Sequence, residues 1–325
     1  MDLTTTCFGK RLPHPLIVGA GPLGDDLDRV KALEDAGAAM LVLRSLYEEE
    51  ITSEQMDAFF NLDANSDAFS EASSFEPESE VSLGPDEYLE HLQRVKRTVG
   101  IPVIASLNGV TSGGWISYAK LLEDAGADGL ELHLYHAASD MTMSAAEVEA
   151  QALATVREVK RSVKMPVSVK LVPLLTAFAH FASQLDAAGA DGLVMFTRFH
   201  KADIDTEELE IVRSLPLSDS SDLLLRLRGT AALAGRVKAS LVITGGIHTG
   251  IDVIKATMAG AHGTQMVSAL LRHGPDHLRT VRREIETWMQ EHEWTSLNEM
   301  RGNMSLQRIP DPAAYERANF RMALR

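Results

Sequence analysis

Lys170 closes an otherwise apolar stretch, Val167–Pro173 (VSVKLVP). A lysine in such surroundings is rarely buried without a partner. It reads either as a fixed positive charge in a site, able to stabilise an anionic ring or a phosphate, or as a surface lysine whose stem lies along apolar neighbours. Arg44, after the apolar run Met40–Leu43, is a second charge of this kind, with pairing to a nearby carboxylate as the alternative. His133, Tyr135 and His136 cluster behind a third apolar run, Gly129–Leu132. An imidazole titrating near pH ~6.5 suits proton transfer; structural packing is the alternative. A His-x-x-His spacing without a partnered set of carboxylates is a poor metal signature, so no metal site is expected. Asn108-Gly109 with Thr111–Gly114 forms a polar stretch that serves equally as a ligand contact or as a turn leading into a helix cap.

Two further stretches point to phosphate. Leu241–Ile247 (LVITGGI) reads as a buried strand stopped by Gly245-Gly246, with a helix starting at Thr249–Asp252. Gln265–Leu270 (QMVSAL) reads as the next strand, turning at Val267-Ser268 into another helix. Two such turns side by side direct backbone N–H groups and two helix N-termini to one point, which binds a phosphate without a basic side chain.

These residues need a frame that brings strand ends together. Eight apolar segments alternate with helical ones: Leu16–Gly19, Met40–Leu43, Val103–Leu107, Gly129–His133, Val167–Leu171, Gly192–Phe196, Ala239–Thr244 and Thr264–Val267. An internal repeat supports the alternation. Val95–Leu107 (VKRTVGIPVIASL) lines up with Val159–Leu171 (VKRSVKMPVSVKL), and Ala125–Leu132 (AGADGLEL) with Ala188–Met195 (AGADGLVM). Each unit ends a helix at Ala-Gly-Ala, where Gly37, Gly126, Gly189 and Gly260 suit a left-handed C-cap. The strand that follows is near-continuously apolar, as a parallel strand covered on both faces requires. A two-unit repeat of this kind predicts an α/β fold, a (β/α)8 TIM barrel, with a doubly wound open sheet as the alternative. In a barrel, chemistry gathers at the C-terminal ends of the strands. The expected site therefore includes Ala20, Gly21, Arg44, Ser45, Ser106, Asn108, His133, Lys170, Thr197, Gly245, Gly246, Val267 and Ser268.

Composition sets the outer bounds. Charged residues make up 24% and hydrophobic residues 45%, ordinary for a globular chain with a full core. A net charge of −15 argues against nucleic-acid or anionic-membrane partners. No apolar run is long enough to span a membrane, and the N-terminus lacks a signal peptide's order, so a cytoplasmic protein is expected. The single cysteine, Cys7, leaves no internal disulfide and no cysteine metal cluster. From Ser45 to Gln93 there is no lysine or arginine. Residues 46–84 thus read as an acidic lid or contact segment inserted after strand 2 of a single domain spanning 1–325, with a disordered loop as the alternative. A helix over His277–His292 closes the ring, and Trp294–Arg325 forms a C-terminal tail packed under the barrel or against another subunit.

At its strand ends the chain resembles the FMN-dependent dihydroorotate dehydrogenase family, most of all its divergent dihydroorotate dehydrogenase-like branch. The resemblance is carried by Ala20-Gly21, by Arg44-Ser45 where the family often has Lys-Ser or Lys-Thr, and by Ile104–Gly109 (IASLNG). It continues through Gly129–His133 (GLELH), Val169–Pro173 (VKLVP), Ile243–Ile247 (ITGGI) and Met266–Pro275 (MVSALLRHGP). It implies FMN as cofactor, with its phosphate on the last two segments, and Lys170 beside the flavin pyrimidine, where positive charge supports the reduced anionic form. Ala20, Gly21 and Ser45 would touch the flavin, and Ser106 stands where many members carry an FMN-contacting asparagine.

The family's Asn-x-Ser-Cys-Pro-Asn after strand 4, whose Cys or Ser is the catalytic base, is here His133-Leu-Tyr135-His136-Ala-Ala138, and its strand-6 asparagine aligns with Thr197. The flavin side is kept and the orotate side rewritten. The implied activity is a CH–CH oxidoreductase passing hydride to flavin N5, with His136 or Tyr135 taking the proton. Dihydroorotate to orotate, a step of pyrimidine biosynthesis, is the family's default. The alternatives are a different unsaturated small-molecule substrate, or a non-catalytic flavin- or phosphate-binding subunit. A homo-oligomer and a redox partner protein, the source of any iron–sulfur cluster, stay open.

Overall fold

The computed structural model describes residues 1–48, 50, 84–109, 115–134, 140–197, 203–207, 209–212 and 216–323. The bulk of the acidic insertion (51–83), Thr111–Gly114, Tyr135, His136 and Arg198 lie outside them.

The chain opens with a hairpin, β1 (Thr5–Cys7) and β2 (Lys10–Leu12). Its two-residue turn, Phe8-Gly9, has positive φ at both positions (50° and 71°), the geometry that matches strand twist. Then come β3 (Leu16–Val18), β4 (Met40–Tyr47), β5 (Val103–Asn108), β6 (Gly129–His133), β7 (Val167–Lys170) and β8 (Gly192–Met195). A short hairpin, β9 (Asp203–Asp205) and β10 (Glu210–Val212), precedes β11 (Ser240–Thr244) and β12 (Gly263–Met266). The order β11-β12-β3-β4-β5-β6-β7-β8 closes into a barrel, every neighbouring pair parallel. The expected TIM barrel is what forms.

Helices return the chain between strands: α1 (Leu27–Asp35), α2 (Pro85–Thr98), α3 (Trp115–Asp124), α4 (Ala145–Ser162), α5 (Phe178–Ala187), α6 (Leu223–Leu233) and α7 (Gly250–Ala259). The short α8 (Ser268–His273), α9 (His277–Glu291), α10 (Leu297–Met300) and α11 (Pro312–Ala323) complete the chain. Asp26 caps α1 by accepting from the Arg29 amide at 2.7 Å. Gly37, Gly126, Gly189 and Gly260 all have positive φ, between 96° and 120°. The repeated Ala-Gly-Ala-Asp motif also does structural work. Asp128 accepts from the Val103 amide at 2.8 Å and pairs with Lys96. Asp191 does the same with Val167 at 2.7 Å and Lys160 at 2.6 Å. The repeated residues fasten strand starts, away from the chemistry.

Alternation along the strands separates two interiors. Outward residues such as Val103, Ala105, Leu130, Leu132, Val169 and Ile243 join the helix-packed core. Inward residues near the N-terminal end, including Ile17, Val42, Ile104, Val194 and Val242, pack with Cys7 and Phe8, so the first hairpin plugs the barrel floor. A Cβ on Gly192 would overlap the Phe8 ring, which is why β8 starts with glycine. One layer up, the inward positions turn polar: Ser106, Asn108, Glu131, His133, Ser168, Lys170, Thr244 and Gln265, all buried. The strands are therefore near-continuously apolar on the outer face alone, with Thr264, which donates to Pro15 O at 3.1 Å, as an exception. This corrects the expectation of near-continuous apolar strands.

The tail begins under the barrel. Leu297 and Met300 are buried, and Arg301 donates to Ala261 O at 3.1 Å and Thr5 Oγ1 at 2.8 Å. Among the described residues no helix is long and apolar enough to cross a membrane, and no group of three or more His, Cys, Asp or Glu side chains is placed to hold a metal.

Candidate active site

A cavity of about 790 Å³ opens at the C-terminal ends of the strands, within the range of small-molecule and cofactor sites. Ala20, Gly21, Arg44, Ser45, Asn108 and His133 line one part of it. Lys170, Thr197, Gly245, Gly246, Val267 and Ser268 line the rest. Of the described residues expected at the site, Ser106 alone stands behind the wall. It is fully buried, and its hydroxyl pairs with that of Ser45 at 2.8 Å. Tyr135 and His136 lie outside the described residues.

On one part of the cavity wall, β11 and β12 pair in register, Thr244 opposite Gln265, so the turns that follow them are neighbours. Gly245 and Gly246 have φ of 82° and 80°, left-handed conformations that L side chains rarely adopt. A Cβ on Gly246 would also overlap the Leu223 backbone, and one on Gly245 would meet Arg226 Nη2 at 3.0 Å. Arg226, itself buried, explains the tightness: it donates to the carbonyls of Thr244 and Asp222, and to that of Phe196 at 3.1 Å. Ser218 closes the cradle. Its amide donates to Ser268 Oγ at 3.0 Å, its hydroxyl accepts from the Gly246 amide at 3.4 Å, and Arg272 donates to its carbonyl at 2.8 Å.

One expectation needs correcting here. The N-terminus of α7 does not point unsatisfied donors at the cavity. The Thr249–Asp252 capping box satisfies it, with Asp252 Oδ2 accepting from the His248 and Thr249 amides at 3.0 and 2.9 Å. The sequence already carried that capping signature. The two turns line the cavity, whereas Thr249–Asp252 at the capped end of α7 do not.

Elsewhere on the cavity wall, Asn108, His133 and Lys170 sit side by side across β5, β6 and β7. Lys170 is 7% exposed, and its Nζ lies 3.1 Å from Glu131 Oε1. The surface-lysine alternative is excluded. His133 is 8% exposed; burial, reinforced by the Lys170 charge, pushes its imidazole down to about 3. It is neutral at ordinary pH, suited to hydrogen bonding and poorly suited to carrying a proton. Arg44 reaches Asp25 at 3.6 Å on the rim. A register shift between Val42 and Ser45 sets both Arg44 and Ser45. The buried Tyr88 hydroxyl fills the gap, donating to Arg44 O at 2.8 Å and accepting from the Ser106 amide at 3.1 Å.

Sequence reasoning missed Glu131, Gln265, Ser218, Tyr47 and Tyr88. Period-two spacing held the signal for the first two, since Glu131 precedes His133 by two residues and Gln265 precedes Val267 by two. Tyr47 lines the rim because β4 runs on to it, past the expected end at Leu43. The bulge lets pairing with β5 continue to Asn108.

The sequence is similar to those of known proteins over most of its length. The chain is 24% identical over 319 residues to the catalytic subunit of dihydroorotate dehydrogenase B (NAD(+)) from Thermoplasma acidophilum, covering 93% of this chain and 98% of that protein. It is 25% identical over 311 residues to a putative dihydroorotate dehydrogenase A (fumarate) from Aeropyrum pernix, covering 93% and 97%. A chloroplastic dihydropyrimidine dehydrogenase (NADP(+)) from Arabidopsis thaliana is 22% identical over 332 residues, covering 93% and 76%. The dihydroorotate dehydrogenase family model matches residues 2–289, a span that runs from the N-terminal hairpin through all eight barrel strands and the residues that line the cavity, and the chain belongs to that family.

Proposed function

We propose that the protein is an FMN-dependent oxidoreductase acting on a CH–CH bond of a small cyclic substrate, with dihydroorotate as the first candidate. One observation carries the reading: a cradle of adjacent turns at Gly245-Gly246 and Val267-Ser268 shares one cavity with the buried Lys170, whose strand stands two places from β11 in the barrel. An anion cradle and a cation on one cavity wall suit a ligand with a phosphate tail and an electron-poor ring. FMN fits the residues present, because the cradle has no room for a Cβ at Gly246 and, among the described residues lining the cavity, there is no carboxylate.

Gly245, Gly246, Val267 and Ser268 would hold the phosphate, and Ala20, Gly21 and Ser45 the ring. Lys170 would bring positive charge to the pyrimidine edge, with Asn108, His133 and Thr197 adding hydrogen bonds. When bound, FMN supplies a two-electron hydride acceptor. The protein's part is to orient the substrate C–H, to exclude water and to take the proton from the neighbouring carbon. We assign that proton to His136, with Tyr135 as the alternative.

A second reading keeps the cofactor and changes the substrate. Thr197, buried at the cavity wall, and His133 stand where the resemblance leads one to expect asparagines, which favours a related unsaturated ring. Anaerobic mixing of the FMN-loaded protein with dihydroorotate separates the two. Bleaching of the flavin band supports the first reading. Bleaching only by another cyclic compound supports the second. No bleaching by any such compound leaves a non-catalytic barrel. The H136A variant is expected to slow reduction by about 10²–10⁴-fold, and an unchanged rate removes His136 from the mechanism.

A further inference from the structure

Beneath the cavity floor, Glu131 is fully buried on β6. Its Oε1 lies 3.1 Å from Lys170 Nζ on the adjacent β7. Its Oε2 accepts from Gln265 Nε2 at 2.6 Å. Gln265 sits on β12, and in the strand order β12 and β6 stand four places apart by either route round the ring of eight. The Glu131–Gln265 bond is thus a strut across the full width of the barrel. Both of its partners line the cavity, whereas Glu131 itself does not.

Stability alone does not account for this strut. A buried ion pair pays heavily for desolvation, and apolar residues of similar volume often do as well or better. One layer down, the same barrel is filled by Ile17, Val42, Ile104, Val194 and Val242, so aliphatic packing is available to it. The carboxylate also fixes orientations that nothing else does. A carboxylate accepts only, so the Gln265 amide group must face it, leaving Gln265 Oε1 as a buried acceptor with no partner among the described residues. Lys170 has three donors on a flexible stem, and Glu131 is its one ion-pair partner among the described residues.

We propose that Glu131 is the positioning residue of the site. It holds the Lys170 ammonium at the cavity wall and, through Gln265, ties that wall to the strand leading into the phosphate cradle. The charge that Lys170 offers the cofactor is set from inside the barrel. The part concerning the flavin rests on the FMN reading above; the part concerning Lys170 does not.

The test compares wild type with E131Q, an isosteric neutral change, and reads two quantities. Before FMN is added, acetic anhydride labelling with peptide mass spectrometry reports how freely Lys170 reacts. Labelling is expected to rise at least tenfold in E131Q, because the amine has lost its tether. In the FMN-loaded proteins, the ratio of dissociation constants for oxidised and reduced FMN is expected to fall at least tenfold. That is a potential more negative by about 30 mV for a two-electron couple. A merely nearby negative charge predicts the opposite sign, since its removal favours added electrons. Labelling at the wild-type rate, or a potential that is unchanged or more positive, overturns the proposal. If E131Q does not fold, E131D takes its place. It keeps the charge but cannot reach both partners, and at least threefold faster labelling is expected, with none overturning the proposal. Should wild type bind no FMN, the cofactor reading fails by itself, and the labelling ratio still decides whether Glu131 holds Lys170.

Discussion

Two side chains, adjacent in register and both buried, divide the electrostatics of the site. Lys170 keeps its charge company with Glu131 at 3.1 Å, while His133 is driven neutral, its pKa pushed down to about 3 by burial and by that same lysine. K170M removes the charge and leaves a stem of similar length. It should still bind FMN but reduce it at least about 100-fold more slowly, the usual loss when a preorganised charge is deleted. Stopped-flow reduction measures this, and a rate within threefold of wild type would show that Lys170 has no electrostatic part. His133 should contribute no limb to the pH profile between about 5 and 9. H133N should therefore keep the wild-type profile even where its absolute rate changes, and loss of a limb near pH 6–7 would contradict the assignment. Lys170 was legible in the sequence because a charge interrupts an apolar run. Glu131 was equally visible but passed as one letter of a motif. Its place two residues before His133 puts both on one face of the strand, so the alternation that made His133 a candidate also pointed to Glu131.

At the scale of elements, glycines at the two ends of the barrel do different jobs. Gly246 is left-handed and pressed against Leu223, so G246A should distort the cradle. FMN affinity is expected to drop at least about tenfold, alongside a stability cost of about 1–3 kcal/mol from the strained φ. Gly192 is pressed against Phe8 at the floor, so G192A is an overpacking change. It is expected to cost about 1–3 kcal/mol in denaturant unfolding, with FMN affinity within twofold of wild type. Parallel titrations and denaturation curves on both variants check this, and a reversed pattern would mean that cradle and floor have been misassigned. The barrel strands were read to within about a residue at most ends because parallel strands and Ala-Gly-Ala caps leave strong local patterns. The three-residue strands of the two hairpins are too short to show a period. The β4 bulge depends on Tyr88, which lies on a helix 44 residues from its partner Arg44, and so was not visible locally.

Across the whole molecule, three histidines, His14 and His133 buried and His262 partly buried, set the response to acid. Burial pushes His14 and His262 down to about 4 and His133 to about 3. His262 shows why the neutral form is needed, since its Nδ1 accepts from the Leu241 amide at 3.1 Å. In the unfolded chain each takes a proton near pH 6.5, whereas in the folded protein none does until the pH is far lower. The unfolded state therefore binds more protons between these limits, and stability must fall as pH drops from about 6.5 towards 4. Each histidine contributes up to about 1.4 kcal/mol per pH unit. Urea unfolding from pH 7.5 to 4.5 should show this decline. H262N should shallow it by about one proton's worth, and a slope equal to wild type would place His262 outside the effect.

The turns at Gly245-Gly246 and Val267-Ser268 share one cavity with the buried Lys170, and calorimetric titration of the cofactor-free protein with FMN and with riboflavin tests most directly the claim that those turns hold a phosphate. The two ligands share the ring and differ only in the phosphate. FMN should bind with one-to-one stoichiometry and at least about 100-fold more tightly than riboflavin, the worth of two charge-assisted hydrogen bonds. Equal affinities for the two, or no binding of either, would contradict it.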